Sequence, residues 1–578
     1  MKIFLINPYC LEERLTDYDI KVVPIGLYYI GAVLRESGHE CHILNWYDIN
    51  KRPHEMREAF LQYRPDMIGI SIMHANRWGG IEIARLAKEL LPDTPVVFGG
   101  PGATFLWRHL MDNFQEIDLI IRGEGEQTFS ELVQATEDGQ KDLSHIKGLI
   151  FRNHGKIICN PGRDFIADID SLPNPARHFT FQHVVSSRGC PWNCTFCGSP
   201  AFWKRKVRFH SPEYFVDQLE LLYRKGIDFF YVSDDTFTVR EERVIHICKE
   251  IIRRRLAITW VAISRVNCIN PDILYWMRRA GCVQISFGVE SGSKKIRAIY
   301  NKQIKDEQVE RAFKLCTSYG ILPRAYFIYG APGENRKTIR ASINLIERIK
   351  PLSAIFYILD LFPGTALYNT WRKAAGVTDD IWLQRIEDIM YFETDPNLRQ
   401  EDVLRFGEQL RQAWHQGLGR YARQIKPVDI EELYPFHADF LSRLGMTFAF
   451  GDYASNPAIP EKEATAEFLF SKALEYHPDS RAFLGLGVLL QRKRDFAGSV
   501  KILKQGASHF PADVQIHTCM GISLMNMNRL DEALETFLKF QQDPQCLGHA
   551  AELSRLLGKP ELHARLTQRI QELSHQQL

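Results

Sequence analysis

No apolar run in this chain approaches the roughly 18 residues that a helical membrane span requires, so no segment reads as one. Charge of one sign is also missing. The 72 basic and 70 acidic residues leave a formal net charge of +2, which removes the electrostatic reason to expect nucleic acid or an acidic membrane as a partner. A disulfide framework is lacking too, since twelve cysteines in 578 residues are few and mostly scattered. Cys10, Cys41, Cys159, Cys248, Cys268, Cys282, Cys316, Cys519 and Cys546 read as reduced thiols buried in the apolar segments of a cytoplasmic protein. The opening MKIFLINPYC is too short and too quickly interrupted by Asn7-Pro8 for a signal peptide, and it reads as a first strand.

What is present is ordinary globular composition, 45% hydrophobic and 25% charged, in a chain long enough for three or four domains of roughly 150 residues. Residues 1–150 alternate strand and helix. KIFLINP, HECHILNW, DMIGISIM, PVVFGGPG and DLIIRGEG are short apolar runs, most of them ending at glycine or a turn. PIGLYYIGAVLRESG and GGIEIARLAKELLP have helical spacing. That alternation implies an α/β domain with a doubly wound parallel sheet, closing near residue 150. GLIFRNHGKIICNPG then reads as a hairpin and SLPNPARHF as a linker.

A second series occupies residues 175–375, with strands at HVVSSRG, FFYVSDD, TWVAISR, VQISFGVES, RAYFIYGAPG and AIFYILDLFPG. Their carboxyl ends carry the polar and glycine residues, as in a partial βα barrel whose site gathers at the strand C-termini. Residues 376–455 read as a helical extension, and 456–578 as a helical repeat region. Pro478, Pro511 and Pro544 recur at an even interval, and Gly487 and Gly521 at almost the same one. A period of about 34 residues, with a small residue, a polar turn and a final proline, matches tetratricopeptide repeats. An unrelated helical bundle is the alternative. Such a stack either presents a concave surface to a protein partner or braces the rest of the chain.

Chemistry concentrates in Ser187-Arg-Gly-Cys190-Pro-Trp-Asn-Cys194-Thr-Phe-Cys197-Gly. Thiolates are the usual ligands of iron–sulfur clusters, and a 4Fe–4S cube normally takes four. Three in one loop leave one iron open to a small molecule, as an open position marks a catalytic metal. A zinc site would want a fourth Cys or His, and an electron-transfer cluster loop is the other alternative. The spacing Cys-x3-Cys-x2-Cys, with aromatic Phe196 before the last cysteine, resembles the signature of the radical S-adenosylmethionine (SAM) superfamily. DDTFTVREER, WVAISRVNCINPDIL, MRRAGCVQISFGVESGS, FIYGAPGE and FPGTALY resemble its later barrel strands in order.

That resemblance implies a cluster on Cys190, Cys194 and Cys197, whose open iron holds the methionine moiety of SAM, and cleavage of SAM to methionine and a 5′-deoxyadenosyl radical. It also implies an external electron donor such as flavodoxin or ferredoxin. The Phe196 backbone is expected at the adenine and Ser233-Asp234 near the SAM amino group. Glu290, with Ser264 or Arg265 nearby, is expected at the ribose or the methionine carboxylate.

PIGLYYIGAVLRESGH, VVFGGPGAT and DLIIRGEGEQTF, standing before such a core, resemble the cobalamin-binding domain of the cobalamin-dependent radical SAM subfamily. The implied cobalamin contacts are Ser71, Gly99, Gly100, Gly123 and Glu124. The histidine motif Asp-x-His-x-x-Gly occurs nowhere, and the stretch after the first strand reads Pro8-Tyr-Cys-Leu-Glu-Glu-Arg-Leu-Thr. The resemblance therefore implies cobalamin without a histidine lower ligand, or a domain that kept the fold alone. Three functions follow as expectations: a C-methyltransferase acting on an unactivated carbon, a cyclase or ring-modifying radical SAM enzyme, or a binding protein that keeps the cluster as a redox element. The substrate class is a small molecule, a lipid or a peptide.

Overall fold

The computed structural model describes residues 1–11 and 23–576. Residues 12–16, in the stretch where the histidine motif would stand, lie outside them. The chain divides into two compact units, one of residues 1–312, 324–348 and 354–411, the other of 313–323, 349–353 and 412–578.

The first unit contains two large sheets and a two-stranded ribbon. Strands β1 (Lys2–Pro8), β2 (Glu40–Trp46), β3 (Met67–Ser71), β4 (Val96–Gly99) and β5 (Leu119–Ile121) pair in parallel in the order β2-β1-β3-β4-β5. Helices such as Ile25–Glu36 and Arg77–Leu90 cross between consecutive strands, the connection that parallel pairing requires. All five strands fall on runs chosen from the sequence. The reading that the domain closes near 150 stops short of the sheet's edge. The expected hairpin, β6 (Leu149–Asn153) and β7 (Lys156–Cys159), adds two antiparallel strands beyond β5. Apolar residues fill both faces: Ile6, Ile68, Phe98 and Ile120 belong to one core, and Leu5, Val97, Leu119 and Phe129 to another.

The second sheet has six strands in the order β15-β14-β13-β12-β11-β8, the open βα arrangement expected for residues 175–375. These are β8 (His183–Val184), β11 (Phe229–Val232), β12 (Thr259–Ser264), β13 (Cys282–Glu290), β14 (Leu322–Tyr329) and β15 (Ser353–Ile358). HVVSSRG, expected as one strand, is split. After Val184 the chain leaves the sheet, and β9 (Ser187–Arg188) pairs antiparallel with β10 (Arg208–Phe209). The buried Asp234 carboxylate causes the departure by accepting from the Ser186 N–H at 2.6 Å, the Ser186 hydroxyl at 2.7 Å and the Ser187 hydroxyl at 2.5 Å.

Two short 3-10 turns, Ile169–Ser171 at the start of the expected linker and Pro175–Arg177 within it, are capped by Asp168 and Asn174. Beyond β15 the chain forms further short turns, Asp379–Leu383 and Tyr391–Thr394. Buried Arg77 holds this segment by donating to the carbonyls of His74 and Glu387, each at 2.8 Å, and of Gln384 at 3.2 Å. No helical period marks these turns, and the helical extension expected there begins only at Gln400.

The second unit is helical, and helices Ser480–Arg492, Phe496–His509, Val514–Asn526 and Leu530–Leu538 carry the period. Asp479 and Asp513 cap the first helix of each pair by accepting from Ala482 N and Ile516 N, the usual role of a short acidic side chain at a helix start. A Cβ at Gly487 would lie 2.5 Å from Leu503, and one at Gly521 2.5 Å from Phe537. Both members of that small–large pair shift by the same interval, one full repeat. The next cap, Asp543, follows after a shorter step, so the third proline falls inside its helix at the first position. We expect Gly521→Ala to cost about 1–3 kcal/mol through overpacking. Hydrogen exchange should show the loss first in Val514–Asn526 and Leu530–Leu538.

Candidate functional site

The cysteine loop is held by its neighbours rather than by regular structure of its own. Thr195 N donates to the Tyr300 carbonyl at 3.0 Å, and the Thr195 hydroxyl to the Ile299 carbonyl at 2.8 Å. Leu367 N donates back to the Thr195 carbonyl at 2.8 Å, and the Asn301 side chain to the Asn193 carbonyl at 2.7 Å. Phe196 packs edge-on against buried Tyr300, with ring centroids 5.0 Å apart, so its side chain anchors the loop.

Gly189 precedes the first cysteine at φ +98°, and a Cβ there would collide with the Lys206 carbonyl oxygen. Only glycine permits both the backbone angle and the approach.

All three thiols are free and half-buried. They are close enough to act on one another electrostatically: burial chiefly, then Asp235 and the other two thiols, pushes Cys197 up to about 12, and burial also raises Cys190. Such thiols load metal with release of protons. Among the described residues no three His, Cys, Asp or Glu side chains are disposed to hold a single metal ion. Cluster ligands bind separate irons of a cube and need not converge on one point. The loop fits a three-cysteine cluster.

The residues expected at SAM are drawn to the same strand ends, with differing freedom. Ser233 lies on the wall of a cavity and accepts or donates at 3.2 Å with His183 Nδ1. Asp234 is spent on Ser186 and Ser187, and the neighbouring Asp235 lines the cavity instead, bonded to the Ser199 hydroxyl at 2.8 Å. Burial raises the Asp235 carboxyl. Ser264 is buried against the Thr238 hydroxyl. The Arg265 guanidinium lies 4.6 Å over the Trp192 ring and points Nη1 at Cys194 Sγ, 3.8 Å away, beside the cluster loop. Glu290 is buried at φ +65°, a left-handed angle rare outside glycine, and accepts from Lys302 Nζ at 2.8 Å.

Cysteine reading missed one group. Cys268, classed with the inert thiols, is half-buried within electrostatic reach of Cys190 and Arg265. It lies in WVAISRVNCINPDIL, one of the segments resembling the later barrel strands, but no second cysteine at ligand spacing marks it. Cys159 is likewise exposed on the edge strand β7, not buried.

Ser71, Gly99, Gly100, Gly123 and Glu124, the expected cobalamin contacts, all line one cavity of about 310 Å³ outside the carboxyl ends of β3, β4 and β5. A Cβ at Gly99 or Gly123 would meet nothing within 4 Å, so bareness at these positions leaves open space for a ligand. Ligands of open α/β sheets bind in this place. Ser187, Arg188, Gly189, Ser233 and Asp235 form the opposite wall. Sequence reading did not single out Arg188, which donates to Glu124 and Glu126 at 2.6 Å each.

The radical SAM superfamily pattern matches residues 184–346, and the B12 binding domain pattern residues 15–133. An uncharacterized methyltransferase of Pyrococcus horikoshii is 33% identical over 402 residues, covering 64% of this chain and 86% of that protein. The anaerobic magnesium-protoporphyrin IX monomethyl ester cyclase of Rubrivivax gelatinosus is 28% identical over 343 residues, 56% of this chain and 62% of the cyclase. In fold, the chain is similar to the radical S-adenosylmethionine methyltransferase TsrM from Kitasatospora setae, at TM-score 0.58 and 18% identity, over 82% of this chain and 99% of that one.

Cys194→Ala should abolish the iron-dependent visible absorption of an anaerobically reconstituted sample and leave two thiols unable to retain the full iron content. A second outcome concerns Glu334, which burial raises to about 7 although it accepts from Gly330 N and Ala331 N. Its unfolded value is 4.5, so the unfolded chain ionises first as pH rises. The fold therefore loses stability between about pH 4.5 and 7. Urea midpoints between pH 5 and 8 should fall less steeply in Glu334→Gln than in the parent chain.

Proposed function

Because this chain belongs to the radical SAM superfamily and carries a B12 binding domain, we propose that it is a C-methyltransferase acting on an unactivated carbon. The observation that carries the reading is the single cavity shared by two sets of strand ends. One wall is the glycine-rich end of the N-terminal sheet, and the other runs into the residue beside Cys190. A cluster, SAM and cobalamin are typical of the family. When bound here they would supply one-electron cleavage of SAM and methyl-group transfer.

The chain's own residues bind and orient. Cys190, Cys194 and Cys197 would hold the cluster and leave it open to SAM. The backbone at Phe196 meets the adenine, while Ser233 and Asp235 face the amino group from the cavity side. Asp234 acts indirectly, by fixing Ser186 and Ser187. Glu290 at its strained strand end and Arg265 beside Cys194 mark the ribose and carboxylate side. The first wall, from Ser71 to Glu124, holds cobalamin. His74, which follows Ser71 in the same loop, has Nε2 on Asp360 at 2.7 Å and its ring 4.4 Å from Phe362. The missing Asp-x-His-x-x-Gly motif supports cobalamin without a histidine lower ligand.

An external electron donor such as flavodoxin or ferredoxin reduces the cluster, and the helical repeats recruit a protein partner or peptide. The methyltransferase description of the Pyrococcus relative favours methyl transfer. A second reading, cyclisation, is favoured by the Rubrivivax cyclase, of which this chain spans less than two thirds.

An anaerobic product assay with candidate small-molecule, lipid and peptide substrates separates the readings. Methyl transfer yields 5′-deoxyadenosine, methionine and S-adenosylhomocysteine together. Cyclisation yields the first two without S-adenosylhomocysteine. If no candidate raises any of the three above the substrate-free rate, the enzymatic reading is wrong.

A further inference from the structure

We propose that Arg188 is a positioning residue which, through Glu124 and Glu126, couples occupancy of the N-terminal cavity to the loop of the three cysteines. This rests on the cobalamin reading above and deepens it. Glu124 and Glu126 flank Gly125 at the end of β5, and all three line the cavity. Their carboxylates converge on one guanidinium, each at 2.6 Å, and both acids and Arg188 are buried. Glu124 also takes Arg208 Nη1 at 2.8 Å and the Ile166 N–H at 2.9 Å. The Arg188 guanidinium lies 4.9 Å from the Tyr29 ring centroid. Burial opposes its charge, but Glu126 and Glu124 outweigh it and hold the group well above its usual range. Arginine is the fitting residue, because its planar fork can serve two carboxylates at once.

From this clamp to the cluster there is no slack. Ser186 and Ser187 are tied to Asp234, and Gly189 is wedged against the Lys206 carbonyl and bonded to Asp235. Cys190 Sγ then sits 3.8 Å from the Thr236 hydroxyl. A ligand bearing on residues 123–126 thus acts on a rigid segment that ends at the first cluster thiol. The reverse action follows by linkage, since a coupling free energy is shared by both sites.

The test is a titration of hydroxocobalamin, followed by corrinoid absorption, into the full chain with and without its reconstituted cluster. In the parent chain we expect the cluster to tighten binding by about five-fold or more. In Glu126→Gln, which keeps the side chain's shape and removes one of the two charges on Arg188, the ratio should fall to near one while both cofactors still bind. Arg188→Lys, able to meet only one carboxylate well, should give an intermediate ratio and covers the case in which Glu126→Gln does not fold. Asp531→Asn, which disturbs an exposed ion pair with Lys559 in the second unit, should keep the parent ratio and so controls for general loosening. A parent ratio of one, or a parent-like ratio in both clamp variants, overturns the coupling and leaves the cobalamin reading intact. No binding of hydroxocobalamin by either form of the parent chain overturns both.

Discussion

Charge buried between two sheets organises this molecule. Taking Arg188, Glu124 and Glu126 out of water costs several kcal/mol per ion before any pairing is counted. The arrangement persists because each charge has a partner of opposite sign at hydrogen-bonding distance, with further donors on the spare oxygens. Aromatic faces finish the enclosure: Arg208 lies 4.8 Å from the Phe165 ring and 5.2 Å from Trp203. An apolar interface of equal area would hold two sheets together without fixing their register. A forked cation between two acids fixes it, and the cysteine loop begins two residues later.

The remaining walls are built by the same logic of committed polar groups. Asp234 consumes its carboxylate on Ser186 and Ser187, which draws β9 out of the sheet and turns the chain toward Cys190. Glu290 and Lys302 pair in the buried space beside Gly288, where any side chain would run into both. Tyr300, whose hydroxyl has no hydrogen-bond partner among the described residues, carries the ring on which Phe196 rests and the carbonyl that holds Thr195. Much of the polar chemistry near the loop is therefore scaffolding, and the groups left facing open space are few.

Local pattern in the sequence was enough for the strands, because a buried strand is a short apolar run ending at a turn. All five runs of the parallel N-terminal sheet and all six of the central sheet are found in place, HVVSSRG only by its first residues. The three cysteines were equally legible, since their chemistry is contained in eight consecutive residues. What escaped was set by distance along the chain. Arg188 meets acids more than 60 positions away, and Arg77 holds carbonyls over 300 positions away. Neither leaves a periodic trace. Asp234 and Asp235 show a finer limit: neighbours on an extended segment point to opposite sides, and only the fold decides which one looks into the cavity. In the repeats, the period was readable from glycine and proline. The shortened step to Asp543 was not, because a proline is as acceptable at a helix's first position as just before it.

The regular part of that repeat array has a consequence for how such a chain can change. Each pair of helices brings its own aspartate start signal and its own notch and knob, Gly487 with Leu503 and Gly521 with Phe537. A duplicated or deleted stretch from one aspartate to the next would bring matching surfaces to both junctions. The tail is thus a ruler whose length evolution or a protein engineer can adjust by whole divisions.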